Sequence, residues 1–253
     1  MQSPQIYTYA DYETLSHAVA ERFLLIARQA ARMYDRFLVV LSGGGTPTRL
    51  FQLLASSPYR DALPWNQTHV FWADERCVPP GDPGSNYGQA MQILLSRVKV
   101  PKANLHRAPG ELPPSRAASE YAAELRKFTV AGEIAPRFDL VLLGLGEDGH
   151  TASLFPNQMS AEEETATVMS ASADYQGRPA ERVTLTSLAI NAAREVDFLV
   201  SGEDKAAAVA ATLAAHHDPL RWPAQRIAPD KGQVVWMIDA AAASQLPAPL
   251  HKR

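Results

Sequence analysis

The stretch that decides the fold is Phe138 to Asn157, "FDLVLLGLGEDGHTASLFPN". It opens on an almost unbroken apolar run and then breaks into glycine, acid and histidine. A strand that is apolar at successive positions is buried on both faces, as in a parallel sheet covered by helices. Runs of the same kind recur on either side: "FLVVL" (37–41), "HVFWA" (69–73), "TVMSAS" (167–172), "DFLVSG" (197–202) and "VVWMI" (234–238).

Helical patterns separate these runs. Over 13–34, Leu15, Val19, Phe23, Ile26, Ala30 and Met33 recur at three- and four-residue steps, the spacing of one helix face. "TRLFQLLA" (48–55), "YGQAMQILLSRV" (87–98), "SEYAAELRKFTVA" (119–131, with Ser119 as its cap) and "EDKAAAVAATLAAH" (203–216) supply further helices. Strands alternating with helices imply a doubly wound α/β architecture, mostly parallel, with helices on both faces of the sheet. No linker or repeat divides the chain, so residues 1–253 are expected to form a single domain.

The bulk numbers exclude several classes. Of 253 residues, 46% are apolar and 20% charged, with a net charge of −3, an ordinary globular balance. No basic block offers itself to nucleic acid. No apolar run is long enough for a bilayer, and the N-terminus has no secretory pattern. Cys77, the one cysteine, builds neither a disulfide framework nor a thiolate metal site. A cytoplasmic location is expected.

In a doubly wound sheet, ligands bind where loops leave the C-terminal ends of strands. The chemistry-bearing segments all follow such strands: "SGGGTP", "DER", "GEDGH" and "SGEDK". Gly144-x-Gly146-x-x-Gly149 has the dinucleotide spacing, but a dinucleotide loop must open a full helix. Here Pro156 follows within seven residues, leaving "HTASLF" about two turns. Glu147 and Asp148 would repel a pyrophosphate, so no cofactor is expected. Two readings of the turn remain: glycines that only permit positive backbone angles, or a platform for His150, the natural proton acceptor near neutral pH. Gly43, Gly44, Gly45 and Thr46 open a helix as an anion site would, without the Gly-Lys-Ser/Thr ending of a nucleotide loop. Arg76, Arg182 and Lys205 are the candidate phosphate counter-charges. His216-His217 is not a metal pair, because adjacent helical residues point different ways, and no metal is expected. Cys77 reads as a structural thiol, despite Arg76 beside it.

Together "SGGGTP", "WADERCVP", "SNYGQA", "LLGLGEDGHTASLFP", "RVTLT" and "SGEDK" resemble the 6-phosphogluconolactonases. The resemblance implies a modified Rossmann-like fold, shared with glucosamine-6-phosphate deaminases and ribose-5-phosphate isomerases. It implies metal-independent opening of 6-phospho-D-glucono-1,5-lactone, with His150 as general base, Arg76, Arg182 and Lys205 on the phosphate, and the glycine loop at Gly43 to Thr46. On chemical grounds Asp74 and Asp148 would orient His150 or bind sugar hydroxyls. The expected partner is this small sugar-phosphate lactone, with no nucleic acid or membrane, and the chain a monomer or weak homo-oligomer. Two rivals stand beside this. A deaminase-like enzyme resembles it in the Gly-His stretch but continues toward Asn-Glu-Pro, where this chain has "TASLFPN". A sugar-phosphate sensor would carry an additional DNA-binding module, for which the helix at 13–34 leaves no room. The segment 77–88, "CVPPGDPGSNYG", is either a lid or a rigid surface loop.

Overall fold

A computed structural model describes residues 4–247 except Gln176 and Arg178. The strands are Gln5–Tyr9 (β1), Phe37–Leu41 (β2), Thr68–Trp72 (β3), Asp74–Arg76 (β4), Leu105–His106 (β5), Leu140–Leu143 (β6), Val168–Ser172 (β7), Glu181–Leu185 (β8), Glu195–Val200 (β9) and Gln233–Asp239 (β10). The helices are Tyr12–Tyr34 (α1), Pro47–Leu54 (α2), Tyr59–Ala62 (α3), Asn86–Ile93 (α4), Pro114–Arg126 (α5), Glu162–Thr165 (α6), Ser187–Asn191 (α7) and Ala206–Thr212 (α8).

Seven strands form one sheet in the order β1-β10-β9-β6-β2-β3-β5, every pairing parallel. From β2 the chain moves outward to β3 and β5; from β6 it moves the other way, to β9 and β10. The crevice of the fold therefore opens between β2 and β6, where ligands gather in such sheets.

Strict alternation along the strands divides the core in two. Val40, Phe71, Val141, Phe198 and Trp236 face the layer of α5, α7 and α8. Val39, Val70, Leu142, Leu199 and Val235 face α1, α2 and α4. Burying each of these larger apolar side chains stabilises the fold by roughly 1.5–3 kcal/mol. Phe198 and Trp236 stack at 4.1 Å and 6° across adjacent strands.

The helices begin and end for local reasons. Asp11 caps α1 by accepting the Thr14 amide at 2.8 Å. The α1 stripe buries Leu15, Val19, Phe23 and Ala30, with Ala27 in the core beside the half-buried Ile26. Met33 instead stands 60% exposed. Helix α5 starts five residues earlier than its sequence suggests, at Pro114, because proline suits the first helical turn. Ser119 lies inside it, bonded to the Ser115 carbonyl. Helix α8 stops at Thr212, where the Gln225 amide donates to the carbonyls of Ala211, Thr212 and His216. His216 and His217 thus lie beyond the helix, and no group of three metal-binding side chains occurs among the described residues.

Four strands depart from the expected pattern. β1, not among the expected strands, is an edge strand against β10. Residues 168–172, expected in the parallel sheet, instead pair antiparallel with β8, and β8 with β4. Val168 and Met169, adjacent and so on opposite faces, are buried, but Ser170 and Ser172 are exposed, so the run is not covered along its length as a central parallel strand would be. This small sheet hangs from the large one at Ala73, whose amide donates to Leu41 and whose carbonyl accepts from Leu185. No helix among the described residues is long and apolar enough to cross a membrane.

Candidate active site

One cavity of about 540 Å³ opens over the crevice. Its lining includes Gly43 to Thr46 after β2, Asp74 and Arg76 on β4, Gly144 to Asp148 and His150 to Ala152 after β6, Arg182 on β8, and Lys205 after β9. Topology thus gathers every candidate residue of the sequence at one edge.

The turn after β6 does not start a helix. The Gly146 amide donates to the His150 carbonyl at 2.8 Å, and the Thr151 hydroxyl to the Gly144 carbonyl at 2.9 Å. Ser153 gives its hydroxyl to Asp74 and its amide to Thr184. These bonds draw the side chains of "HTASLF" into neighbouring elements, and Thr151 pairs with Leu154 in a short antiparallel bridge instead. Gly149 holds φ +83° with its α-carbon against the Trp222 ring, a conformation and a clearance that favour glycine. At Gly146 the requirement is space, since a methyl group would overlap His150 Nδ1 and Cε1.

Above Gly146 lies an Asp–His pair. His150 Nδ1 is 2.6 Å from Asp148 Oδ1, which also accepts the His150 amide at 3.1 Å. Burial pushes the Asp148 carboxyl up, but hydrogen bonds from His150 and Tyr175 outweigh it and hold the group well below the usual carboxylate range. An ionised carboxylate only accepts. Nδ1 therefore carries the ring proton in neutral His150, and Nε2 keeps its lone pair for a substrate.

Arg76 and Arg182 occupy directly opposed positions on β4 and β8. Paired positions across an antiparallel ladder present both side chains to one face. Two cations placed so repel each other, and an anion between them removes the conflict. Arg76 donates Nη1 to the Gly84 carbonyl at 2.7 Å, while its buried Nε meets no partner among the described residues. Lys205, from the opposite side, lies 3.1 Å from Asp204 and 3.4 Å from Glu147.

The glycine loop is held from outside. Gly44, at φ +96°, donates its amide to Gln89 Oε1 and receives Gln89 Nε2 on its carbonyl. Asn86 packs where a Gly43 side chain would stand.

Asp74 sits apart from His150's hydrogen bonds. Its carboxylate accepts Ser153 Oγ at 2.7 Å and Asn86 Nδ2 at 3.1 Å, joining the His150 turn to the start of α4. Three contributors were missed by reading the sequence: Glu75, Asn86 and Tyr175. Glu75 is buried and accepts from the amides of Arg76, Asn86 and Tyr87 and from Ser85 Oγ. Burial pushes its carboxyl up against those bonds. It ties both ends of the 77–85 segment together, so that segment is anchored at its base. The only hint was its place within "DER". Tyr175 lies 25 residues beyond His150 in a polar stretch with no periodic signal. Cys77 is half-buried, and burial pushes its thiol up to about 11, in keeping with a structural role.

Comparison with known proteins points the same way. The profile of a family described as "Glucosamine-6-phosphate isomerases/6-phosphogluconolactonase" matches residues 10–236. A 6-phosphogluconolactonase of Streptomyces coelicolor is 39% identical, the match covering 98% of this chain and 97% of that protein. One from Haemophilus influenzae is 35% identical, over 92% and 97%. The solved structure of 6-phosphogluconolactonase from Trypanosoma brucei superposes with a TM-score of 0.83 at 27% identity, covering 96% of this chain and 99% of that one.

Proposed function

Because this chain belongs to the glucosamine-6-phosphate isomerase/6-phosphogluconolactonase family, we propose that it hydrolyses 6-phospho-D-glucono-1,5-lactone to 6-phosphogluconate. In this reading residues 1–253 act as one domain in the cytoplasm. The observation that carries it is the division of the cavity. An Asp-oriented imidazole stands on the turn after β6, and two opposed arginines and a lysine stand around the same space.

A phosphate monoester carries close to two negative charges at neutral pH and suits guanidinium forks. With the phosphate on Arg76, Arg182 and Lys205, the lactone carbonyl is brought to His150. His150 Nε2 takes a proton from water as its oxygen attacks C1, giving a tetrahedral oxyanion. Collapse of that adduct breaks the bond from C1 to the ring oxygen, which takes the proton back from the imidazolium. The acid product then releases a proton to solvent. General-base help of this kind is worth roughly 10²–10⁴-fold. Asp148 supports the step by holding the proton on Nδ1 and stabilising the imidazolium. In this reading developing negative charge is met by amides of the Gly43–Thr46 loop other than that of Gly44, which is given to Gln89. Asp74, bonded to Ser153 and Asn86, fixes the turn against α4.

The test follows acid release from freshly generated lactone above its spontaneous rate, with the unphosphorylated lactone in parallel. Rapid opening of the phosphorylated lactone, lost in a folded His150→Ala variant, is the expected result. Activity unchanged by His150→Ala refutes the base, and no acceleration by the wild type refutes the substrate.

A further inference from the structure

Tyr175 stands on the connection between β7 and β8, and no motif of the sequence assigns it a role. Its hydroxyl donates to Asp148 Oδ2 at 2.6 Å and lies 3.2 Å from His150 Nδ1. Its ring packs 5.3 Å from the His150 ring and 5.6 Å from Phe155, closing a three-ring cluster.

The arrangement gives each Asp148 oxygen its own donor. Oδ1 takes the His150 ring and amide; Oδ2 takes the phenol. A carboxylate bonded at one oxygen alone can rotate about its bond to the chain, carrying the imidazole with it. One bonded at both oxygens has its plane fixed. The phenol also draws on the carboxylate's charge, which weakens the pull of Asp148 on an imidazolium. Resting on the reading of His150 as general base, we propose that Tyr175 is a positioning residue. It fixes the plane of Asp148 and, by sharing that carboxylate's charge, weakens its hold on an imidazolium at His150.

The sign follows from the bonds. Removing the phenolic hydroxyl concentrates charge on Asp148, favours the imidazolium and leaves less free base at a given acidic pH. The other charged groups around this cavity are Glu147 on the same turn, Asp74 and Arg76 on β4, Arg182 on β8, and Lys205 after β9. Tyr175→Phe leaves all of them in place and keeps the ring packed on His150 and Phe155, so the readout isolates the hydroxyl.

The experiment measures kcat and KM for the phosphorylated lactone from about pH 5 to 8 in wild type, Tyr175→Phe, Asp148→Asn and the double variant. In parallel, the ¹⁵N resonances of the His150 ring are followed against pH. For Tyr175→Phe we expect KM within about twofold and kcat lowered roughly three- to tenfold, the range for one hydrogen bond. The acidic limb of kcat and the ring titration should both move up by about half a pH unit. On the Asp148→Asn background the same substitution should move neither, because the phenol acts through the carboxylate. An unmoved acidic limb and ring titration, or equal shifts on both backgrounds, overturns the proposal. Activity retained by His150→Ala would sink the general-base reading, while the ring titration would still decide whether Tyr175 governs the Asp148–His150 pair.

Discussion

Replacing Gly146 by alanine isolates the cost of misplacing the proposed base. A methyl group there would overlap His150 Nδ1 and Cε1 and lie 2.6 Å from Asp148 Oδ1. Ordinary contacts begin near 3.4 Å. Asp148 must therefore retreat by about 1 Å, and the imidazole by more. Gly146 does not lie at positive φ, so alanine introduces no backbone strain, and both side chains it displaces border an open cavity. Folding stability should fall by about 1 kcal/mol or less. A misplacement of this size at a reacting group costs on the order of 10²-fold in rate. The expected phenotype is kcat lowered about a hundredfold with KM nearly unchanged, since the arginines on β4 and β8 do not depend on Gly146. The assay is acid release from the phosphorylated lactone, alongside a thermal melt. A folded Gly146→Ala enzyme with kcat within threefold of wild type would refute the claim that the glycine exists to seat His150.

Glu75→Gln should destabilise the protein by about 2–4 kcal/mol in chemical denaturation, because an amide nitrogen then faces buried donors that the carboxylate now satisfies. It should also speed proteolytic nicking within 77–85; a midpoint and cleavage rate like the wild type's would show that the anchor is dispensable. His69 shares Nδ1 with His106 Nε2 at 3.0 Å, and burial, His106 and Arg36 together push its ring down to about 4. A group depressed from 6.5 in the folded state leaves the unfolded chain binding more protons between those values. Stability should therefore be complete above pH 6.5 and fall as the pH drops toward 4. After allowance for partial exposure, His69→Gln should reduce the total fall by about 1–2 kcal/mol; parallel stability-against-pH curves for the two proteins would rule this out.

What the sequence made legible follows from which interactions are periodic. β2, β3, β6, β9 and β10 announce themselves because burial on both faces favours successive apolar residues, even where β9 also buries Glu195 and Asp197 against Arg22. The candidates His150, Arg76 and Lys205 stand out because each follows such a strand, whereas Arg182, on β8 of the small sheet, is picked out by its charge alone. β1 is passed over because only Ile6 of its five residues is buried, although Ile, Tyr and Thr are good strand formers. The sheet change at β7 was misread because five residues with two buried side chains look alike in either sheet. The missed Glu75 and Tyr175 share a cause of another kind. Their partners, at Ser85 to Tyr87 and at Asp148, lie 10 to 27 residues away. Contacts between loops leave no spacing rule to read. The end of α8 was likewise set by Gln225, which no local propensity of an alanine-rich segment could reveal.

The joint at Ala73 has a consequence for substrate choice. The large sheet carries His150 and Lys205 on the loops after its strands, the small sheet carries Arg76 and Arg182, and Ala73 is bonded to both. With Ser153, which ties the His150 turn to Asp74 on β4 and Thr184 on β8, it sets a gauge between the two sheets. On the function proposed above, a lactone whose phosphate stands one carbon nearer to or farther from the ring would meet the same charges and the same imidazole, and would be turned away by length.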